Sequence, residues 1–332
     1  MKTSFQLILL LLVLQAYKKQ PTESQSISLP KEVKFKMGDN MDWANQSYND
    51  SDWEIKSLGK SWATTEVAEN VYAWYRIKIM IPFKTDSAKK TEKRNSSKPK
   101  IIAHRGAWKK LNLPQNSIAS LRQAIKLKFY GSEFDVRMTT DDSLIINHDP
   151  TFFDMEIEKS TYAELIEHKL SNGEKLPTLR EYILSGIHKN KKTKLICEIK
   201  PSGISKERSL LIAQKAHQQI QRLKAQDKVI YISFSYAVLK KIIELDPNAS
   251  TQYLGGDVSP EQLKIDGISG LDYQISKIKN RSEWLYSAKE NKITLNAWTV
   301  NKVEDMDWVI QNSFDFITTD EPEFFMEKLK NY

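Results

Sequence analysis

The chain has 332 residues and is 40% hydrophobic, so it is long enough to bury a full-sized core and to form one α/β barrel with a smaller appendage. Its formal net charge of +8 is of the sign that attracts anionic partners, but part of the excess lies in one polar stretch, which contains Lys89, Lys90, Lys93, Arg94, Lys98 and Lys100. Because a basic linker is usually only solvated, we expect no nucleic-acid partner.

Residues 1–16 have the pattern of a signal peptide. Lys2 supplies a positive start, residues 7–14 are almost wholly apolar, and Ala16 is a small residue near a plausible cleavage point. The apolar run is shorter than the roughly 20 residues that span a bilayer, and no cysteine follows it to carry a bacterial lipoprotein anchor. The pattern therefore predicts export to the periplasm or the extracellular space, with no stable membrane span after cleavage; an uncleaved membrane anchor is the alternative.

Residues 27–84 predict a small β-rich segment. Residues 71–81 combine β-branched and aromatic side chains with partial alternation, which favours a strand. Residues 48–54 and 73–76 resemble the first strands of galactose-binding-like domains, but the segment is only long enough for part of that fold. A structural β appendage is therefore favoured over a carbohydrate-binding role. The polar, Lys-rich residues 85–100 predict a flexible linker.

From residue 101 onward, short apolar segments alternate with helical patterns. Eight strands are predicted, at residues 101–104, 132–138, 194–199, 229–234, 251–254, 270–275, 293–299 and 314–318. Helices are predicted between them, at residues 117–129, 206–225, 236–245, 282–291 and 303–312. This alternation predicts a (β/α)8 TIM barrel over residues 101–332. An open doubly wound sheet is the alternative, but no Gly-x-Gly-x-x-Gly turn follows the first strand, which counts against its nucleotide-binding versions.

Two of the predicted strands carry acidic residues. Glu133 and Asp135 flank Phe134, so alternation places both carboxylates on one face, and Glu198 lies in the next strand within apolar surroundings. Clustered inward carboxylates repel one another unless a cation neutralises them. Three carboxylates without a cysteine ligand favour a hard divalent ion, Ca²⁺ or Mg²⁺, over zinc. The alternative is ordinary ion pairing with basic residues, namely Arg105, Arg137 and Lys200.

Two histidines stand at strand ends, where a TIM barrel forms its active site. His104 and Arg105 end the first predicted strand, and Gly106 permits a sharp turn or a close backbone approach. His148 and Asp149 follow a short apolar run. Either motif alone is weak support for catalysis, since a lone His-Asp pair is more often structural.

Three further residues complete the candidate site and its surroundings. Lys200 lies two positions after Glu198, on the same strand face, where its ammonium can meet a phosphate oxygen. Trp298 ends the seventh predicted strand and is predicted to wall a substrate pocket, with a core tryptophan as the alternative. Cys197, the single cysteine, lies in an apolar strand, so core packing is favoured over redox or nucleophilic chemistry.

Taken in order, the motifs resemble the glycerophosphodiester phosphodiesterase family over residues 101 to about 325. They are His104-Arg105-Gly106, Pro114-Gln115-Asn116-Ser117, Glu133-Phe134-Asp135-Val136, His148-Asp149-Pro150, Pro177-Thr178-Leu179, Glu198-Ile199-Lys200, Ser233-Phe234, Trp298-Thr299-Val300-Asn301 and Ile317-Thr318-Thr319-Asp320-Glu321-Pro322. One departure stands at Gln115, where the family usually has a glutamate.

The resemblance implies metal-dependent hydrolysis of small-molecule glycerophosphodiesters to glycerol 3-phosphate and an alcohol. It assigns acid–base catalysis to His104 and His148. It assigns the divalent metal to Glu133, Asp135 and Glu198, and phosphate contacts to Arg105 and Lys200. Which histidine is the acid, and whether water or the glycerol 2-hydroxyl attacks, stay open. The alternatives are a phospholipase- or sphingomyelinase D-like enzyme acting on lipids, and a non-catalytic surface-binding protein.

Overall fold

The structure, a computed structural model, describes residues 32–37, 40, 49–57, 73–76 and 98–332. The predicted signal peptide, most of the predicted linker and much of segment 27–84 lie outside these residues. The chain divides into two compact units, residues 1–92 and 93–332. Across the described residues, no helix is both long enough and apolar enough to cross a bilayer.

The described part of the first unit is a small antiparallel sheet. Its strands are β1 (Glu32–Met37), β2 (Glu54–Ser57) and β3 (Ala73–Arg76), with β1 in the centre. Val33 and Trp53 are buried, and the ammonium of Lys34 lies 2.6 Å from Oδ1 of Asp50. Strands therefore form in the described part of the segment whose composition predicted β structure.

Within residues 98–332, eight parallel strands form a nearly closed barrel. They are β4 (Lys100–Ala103), β5 (Gly131–Met138), β9 (Lys194–Ile199), β10 (Val229–Ser233), β11 (Thr251–Tyr253), β12 (Gly270–Gln274), β13 (Thr294–Trp298) and β14 (Phe316–Thr319). Three short strands lie between β5 and β9: β6 (Leu144–Ile146), β7 (Thr151–Phe152) and β8 (Met155–Glu156). The order of the parallel strands is β13-β12-β11-β10-β9-β5-β4-β14. The predicted TIM barrel is confirmed.

Backbone hydrogen bonds next to the strand ladders join β13 to β14 and bring the barrel to near closure. Asp315 N donates to Leu295 O at 3.1 Å, and Val300 N donates to Thr318 O at 3.0 Å. Lys100, predicted to be the last linker residue, is instead the first residue of β4.

Helices follow the barrel strands. They are α1 (Ile118–Lys126), α2 (Tyr162–Leu165), α3 (Leu179–Ile187), α4 (Lys206–Arg222), α5 (Tyr236–Leu245), α6 (Pro260–Ile265), α7 (Ile275–Lys279), α8 (Glu283–Asn291), α9 (Val303–Gln311) and α10 (Pro322–Lys330). Short 3₁₀ turns lie at Lys109–Leu111, Ile157–Lys159 and Gln226–Lys228. Side-chain caps begin several helices; Ser117 Oγ, for example, accepts the Ser120 N–H at the start of α1.

Strand alternation divides the apolar residues between the two sides of the barrel wall. Cys197 points outward into the core beneath the helices and is fully buried, as predicted. Its neighbour Ile196 points inward and packs with inward residues of other strands, among them Ile102 and Ile230. Inward positions near the strand ends therefore meet at one end of the barrel, which is where the polar residues lie.

Candidate active site

A tight turn at the end of β4 brings His104 and the backbone of the following residue to the barrel mouth. His104 N donates to Thr319 O at 3.0 Å, which keeps the histidine beside β14. Arg105 (φ +54°) and Gly106 (φ +88°) then reverse the chain. A Cβ atom on Gly106 would lie 2.3 Å from Ser120 Oγ and 2.8 Å from the Ser120 carbonyl carbon, so the turn requires glycine.

The three predicted metal carboxylates come together in the barrel interior. Glu133 and Asp135 point inward from β5, and Glu198 lies beside Asp135 in the register of β5 with β9. One oxygen from each carboxylate lies within 4.8 Å of the others. Glu133 and Asp135 are each 1% exposed and Glu198 is 6% exposed. These three residues are called the acidic group.

The hydrogen bonds around the acidic group leave an oxygen available. Arg105 N donates to Glu133 Oε2 at 2.7 Å, while Glu133 Oε1 is buried and has no hydrogen-bond partner among the described residues. Asn116 Nδ2 donates to Asp135 Oδ2 at 2.8 Å, and Asp135 N donates to Asn116 Oδ1 at 3.1 Å. Oriented hard oxygen donors with one unpaired atom fit a divalent cation.

Two of the three basic residues named as alternative ion-pair partners, Lys200 and Arg105, do pair with the acidic group, and these pairs do not exclude the metal site. The ammonium of Lys200 lies 2.9 Å from Asp135 Oδ1 and 2.6 Å from Glu198 Oε1. Arg105 Nε lies 3.8 Å from Asp135 Oδ2. Arg137 instead donates from Nε and Nη2 to the backbone oxygen of His148, at 3.0 and 2.7 Å.

Burial and mutual repulsion give the three carboxyl groups of the acidic group different pKa values. Burial raises the pKa of Glu133 well above its usual value, and the charges of Asp135 and Glu198 raise it further. Burial, followed by the charge of Asp135, raises the pKa of Glu198 to about 7. Burial opposes ionisation of Asp135, but the charges of Lys200 and His148 and the hydrogen bonds from Lys200 and Asn116 together outweigh it and lower this pKa to about 2. A divalent cation would remove the repulsion that keeps the group partly protonated.

His104 is held by a chain of hydrogen bonds that reaches a loop on the other side of β14. Its Nδ1 lies 2.7 Å from Asp320 Oδ1. Asn301 Nδ2 donates to Asp320 Oδ2 at 2.7 Å, and Asp320 N donates to Asn301 Oδ1 at 2.9 Å. Because an ionised carboxylate only accepts, the proton of His104 lies on Nδ1. The ring therefore presents Nε2, which is 3.9 Å from Glu133 Oε2, to the barrel interior.

His148 reaches the same region from an excursion between β5 and β9. The strand β6 runs antiparallel to β5, and Asn147 N donates to Asp135 O at 3.0 Å, which fixes the next residue beside the acidic group. His148 Nδ1 lies 2.7 Å from Asp149 Oδ1. Burial lowers the pKa of His148, and the charge of Lys200 lowers it further against the opposing effect of Asp135.

A cavity of about 160 Å³ opens between these residues. It is lined by His104, Arg105, Glu133, His148, Glu198, Lys200, Ile232, Phe234, Leu254, Asp272, Trp298, Thr299 and Thr318. The structure thus brings together every residue of the predicted site. All of them line the cavity except Asp135, which lies behind it in the acidic group and pairs with Lys200. The rings of Trp298 and Phe234 meet edge to face at 5.4 Å.

Four residues of this region were not singled out from the sequence: Asn116, Asp272, Asn301 and Asp320. Asn116, Asn301 and Asp320 lie inside the motifs that carry the family resemblance, which was the available signal; Asn301 and Asp320 also follow strand ends. Asp272 lies in a predicted strand with alternating apolar residues, and an inward acidic residue there was the only sign.

Comparisons with known proteins agree with this arrangement. The model of the glycerophosphoryl diester phosphodiesterase family matches residues 104–324. A glycerophosphodiester phosphodiesterase from Caldanaerobacter subterraneus subsp. tengcongensis is 31% identical over 240 residues, which cover 67% of this chain and 94% of that protein. A crystal structure of a glycerophosphodiester phosphodiesterase from Parabacteroides distasonis is 40% identical with a TM-score of 0.68, covering 70% of this chain and 98% of that chain.

A third relative shows the shared fold at greater distance. A phosphodiesterase from Oleispira antarctica, solved in complex with the product sn-glycerol-3-phosphate, is 23% identical with a TM-score of 0.59, covering 70% of this chain and 97% of that chain. The motifs, the barrel and the family match agree over the same residues. The chain therefore belongs to the glycerophosphoryl diester phosphodiesterase family of enzymes.

Proposed function

We propose that this enzyme hydrolyses glycerophosphodiesters to glycerol 3-phosphate and an alcohol, using a divalent cation and two histidines. The observation that carries the proposal is one cavity lined by both His104 and His148 together with carboxylates of the acidic group. Family membership and the named relatives support the substrate class. The glycerol 3-phosphate held by the Oleispira antarctica enzyme supports the product.

Glu133, Asp135 and Glu198 would hold the cation, which we propose to be Ca²⁺ or Mg²⁺. All three ligands offer oxygen, and the unpaired Glu133 Oε1 gives the site an atom without another partner among the described residues. When bound, a divalent cation neutralises charge on phosphoryl oxygens and so lowers the barrier to attack on an anionic diester.

Two positively charged side chains would bind the phosphate. Lys200 and Arg105 both line the cavity. Arg105 Nη1 donates to Gln115 Oε1 at 2.7 Å, so the amide at this position still orients the guanidinium although the family usually has a carboxylate there. Lys200 would exchange part of its pairing with the acidic group for a phosphate oxygen, where it acts as a point charge.

The histidines would transfer the protons. One histidine accepts the proton of the attacking hydroxyl, and the other donates a proton to the oxygen of the leaving alcohol as the P–O bond breaks. Each has a carboxylate 2.7 Å from Nδ1, Asp320 for His104 and Asp149 for His148, which leaves Nε2 to act on the substrate. Either water or the glycerol 2-hydroxyl is the nucleophile; the second route releases a cyclic phosphate before the final product.

The test is hydrolysis of glycerophosphocholine, followed by release of both glycerol 3-phosphate and choline, with and without a chelator. We expect activity in Ca²⁺ or Mg²⁺ and loss of activity after chelation, restored by adding the metal. Intact phosphatidylcholine and sphingomyelin are assayed in parallel. Turnover of the lipids alone would favour the lipid-directed alternative, and activity that survives chelation would contradict the metal-dependent mechanism.

A further inference from the structure

Asp272 is a carboxyl group in the cavity wall that the mechanism above does not use. It lies on β12 between Leu271 and Tyr273, which both point outward into the hydrophobic core. Alternation therefore points Asp272 into the barrel. It is 1% exposed and lines the same cavity as His104 and Lys200.

The side chain of Asp272 lacks the partners that its buried neighbours have. Its Oδ1 is buried and has no hydrogen-bond partner among the described residues. On the adjacent strand, Asn296 is paired with Asp272 in register, yet its amide donates to Thr318 Oγ1 at 3.2 Å and to Gln252 Oε1 at 3.4 Å. The neighbouring polar side chains satisfy one another, whereas the oxygen of Asp272 stays unpaired.

Several groups of the cavity wall cannot donate a hydrogen bond to the Asp272 side chain. Ile232, Leu254 and Phe234 are apolar, and the Trp298 indole N–H donates to the backbone oxygen of Asp272 at 2.9 Å, so it is already used. Asp272 is not a member of the acidic group that could hold a metal. A hydrogen bond to Oδ1 must then come from a molecule that enters the cavity.

We propose that Asp272 accepts a hydrogen bond from a hydroxyl of the glycerol moiety and selects glycerol on that side of the phosphate. This inference rests on the proposed function. A glycerol hydroxyl both donates and accepts, so it matches a buried carboxyl oxygen in either protonation state, whereas a phosphate oxygen, which only accepts, matches only a protonated carboxyl. Glycerol is the part that all substrates of this class share, so a buried, unpaired acceptor suits it better than it suits the variable leaving alcohol.

The direct test compares binding of sn-glycerol 3-phosphate and n-propyl phosphate by calorimetric titration in saturating Ca²⁺. A binding measurement does not depend on whether water or the glycerol 2-hydroxyl is the nucleophile. The wild type should favour the glycerol compound by about 3- to 100-fold, the range from one neutral to one charge-assisted buried hydrogen bond. In D272L that preference should fall to about 1, and in D272N, which keeps an acceptor oxygen, it should fall only in part. An unchanged preference in D272L would overturn the inference.

Thermal unfolding separates recognition from a structural role. Leucine has a similar size and removes a buried polar atom without a partner, so D272L should unfold at the same temperature as the wild type or higher. The matched control is N296L on the adjacent strand. It breaks hydrogen bonds inside the barrel, so it should unfold at a lower temperature and keep the preference for glycerol 3-phosphate. A lowered unfolding temperature in D272L would instead mean that Asp272 supports the fold.

Two outcomes distinguish this inference from the proposed function. If the wild type hydrolyses glycerophosphocholine but D272L slows it without slowing glycerophosphoglycerol, Asp272 contacts the choline cation and the inference is wrong. If the wild type hydrolyses no glycerophosphodiester and binds neither monoester, the proposed function fails and the inference falls with it.

Discussion

Nδ1 of His104 lies 2.7 Å from Oδ1 of Asp320, although 216 positions separate the two residues in the chain. Parallel pairing of β4 with β14 brings them together, since each residue directly follows its strand. Burial by itself raises the pKa of Asp320, but the hydrogen bonds from His104 and Asn301, together with the charges of His104 and Arg105, outweigh it and keep that pKa below its usual value. The carboxylate therefore stays ionised and holds one tautomer of the ring.

We predict that D320N lowers kcat by about 10²- to 10⁴-fold, by analogy with the loss when a histidine-orienting carboxylate becomes an amide. Asn301 donates to Asp320 Oδ2, so the oxygen of the new amide would face Asn301 and its NH₂ group would face His104. That arrangement favours the tautomer with its proton on Nε2. Steady-state kinetics should show the loss in kcat with KM nearly unchanged. A matching rise in KM would mean that Asp320 acts in substrate binding instead.

H104A and H148A should each lower kcat by about 10²- to 10⁴-fold, the usual contribution of a general acid or base. Both side chains line the cavity and neither belongs to a core cluster, so circular dichroism and thermal unfolding should stay close to the wild type. The matched control is H188A, because His188 is exposed and lies outside the cavity. Near-wild-type turnover in either cavity variant would remove that histidine from the mechanism.

E133Q, D135N and E198Q should each raise the metal concentration needed for half-maximal activity by about tenfold or more. A loss of 1.4 kcal/mol in binding is already tenfold, and each change removes a charged ligand. E283Q, on an exposed part of α8, is the control. Metal at about 100 times its Kd should also stabilise the wild type by about 2.7 kcal/mol in denaturant titrations. A metal titration that is the same in all variants would show that the cation binds elsewhere.

G106A should reduce both stability and activity. Its φ of +88° disfavours alanine, and the new Cβ would lie 2.3 Å from Ser120 Oγ. Strain of this kind costs about 1–3 kcal/mol, and relief by backbone movement would shift the Arg105 N–H that holds Glu133. G173A is the matched control, with φ +84° and no atom within 4 Å of the new Cβ. Urea unfolding should therefore show a larger loss for G106A; equal losses would mean that the clash is absorbed.

Long, strongly patterned elements were predicted well. Residues 236–245 form the expected helix, which an Oγ cap at Ser235 begins, and residues 194–199 form the expected strand. The predicted helices did not include α6 and α7, which have six and five residues, or α3 and α10, which have nine residues each. Ile275, assigned to a strand, begins α7. Helices α6 and α7 are too short for helical periodicity to emerge from their sequence.

The sequence by itself determined the barrel class and the identity of most cavity residues, because strand alternation and the order of motifs are local properties of the chain. It also indicated that Glu133 and Asp135 share a face. Only the tertiary structure decided that Asp320 supports His104 and that Asp272 has an unpaired oxygen in the cavity wall. Both facts depend on which atoms from distant parts of the chain lie beside a side chain. Barrel closure determines those contacts, and the neighbouring residues in sequence do not.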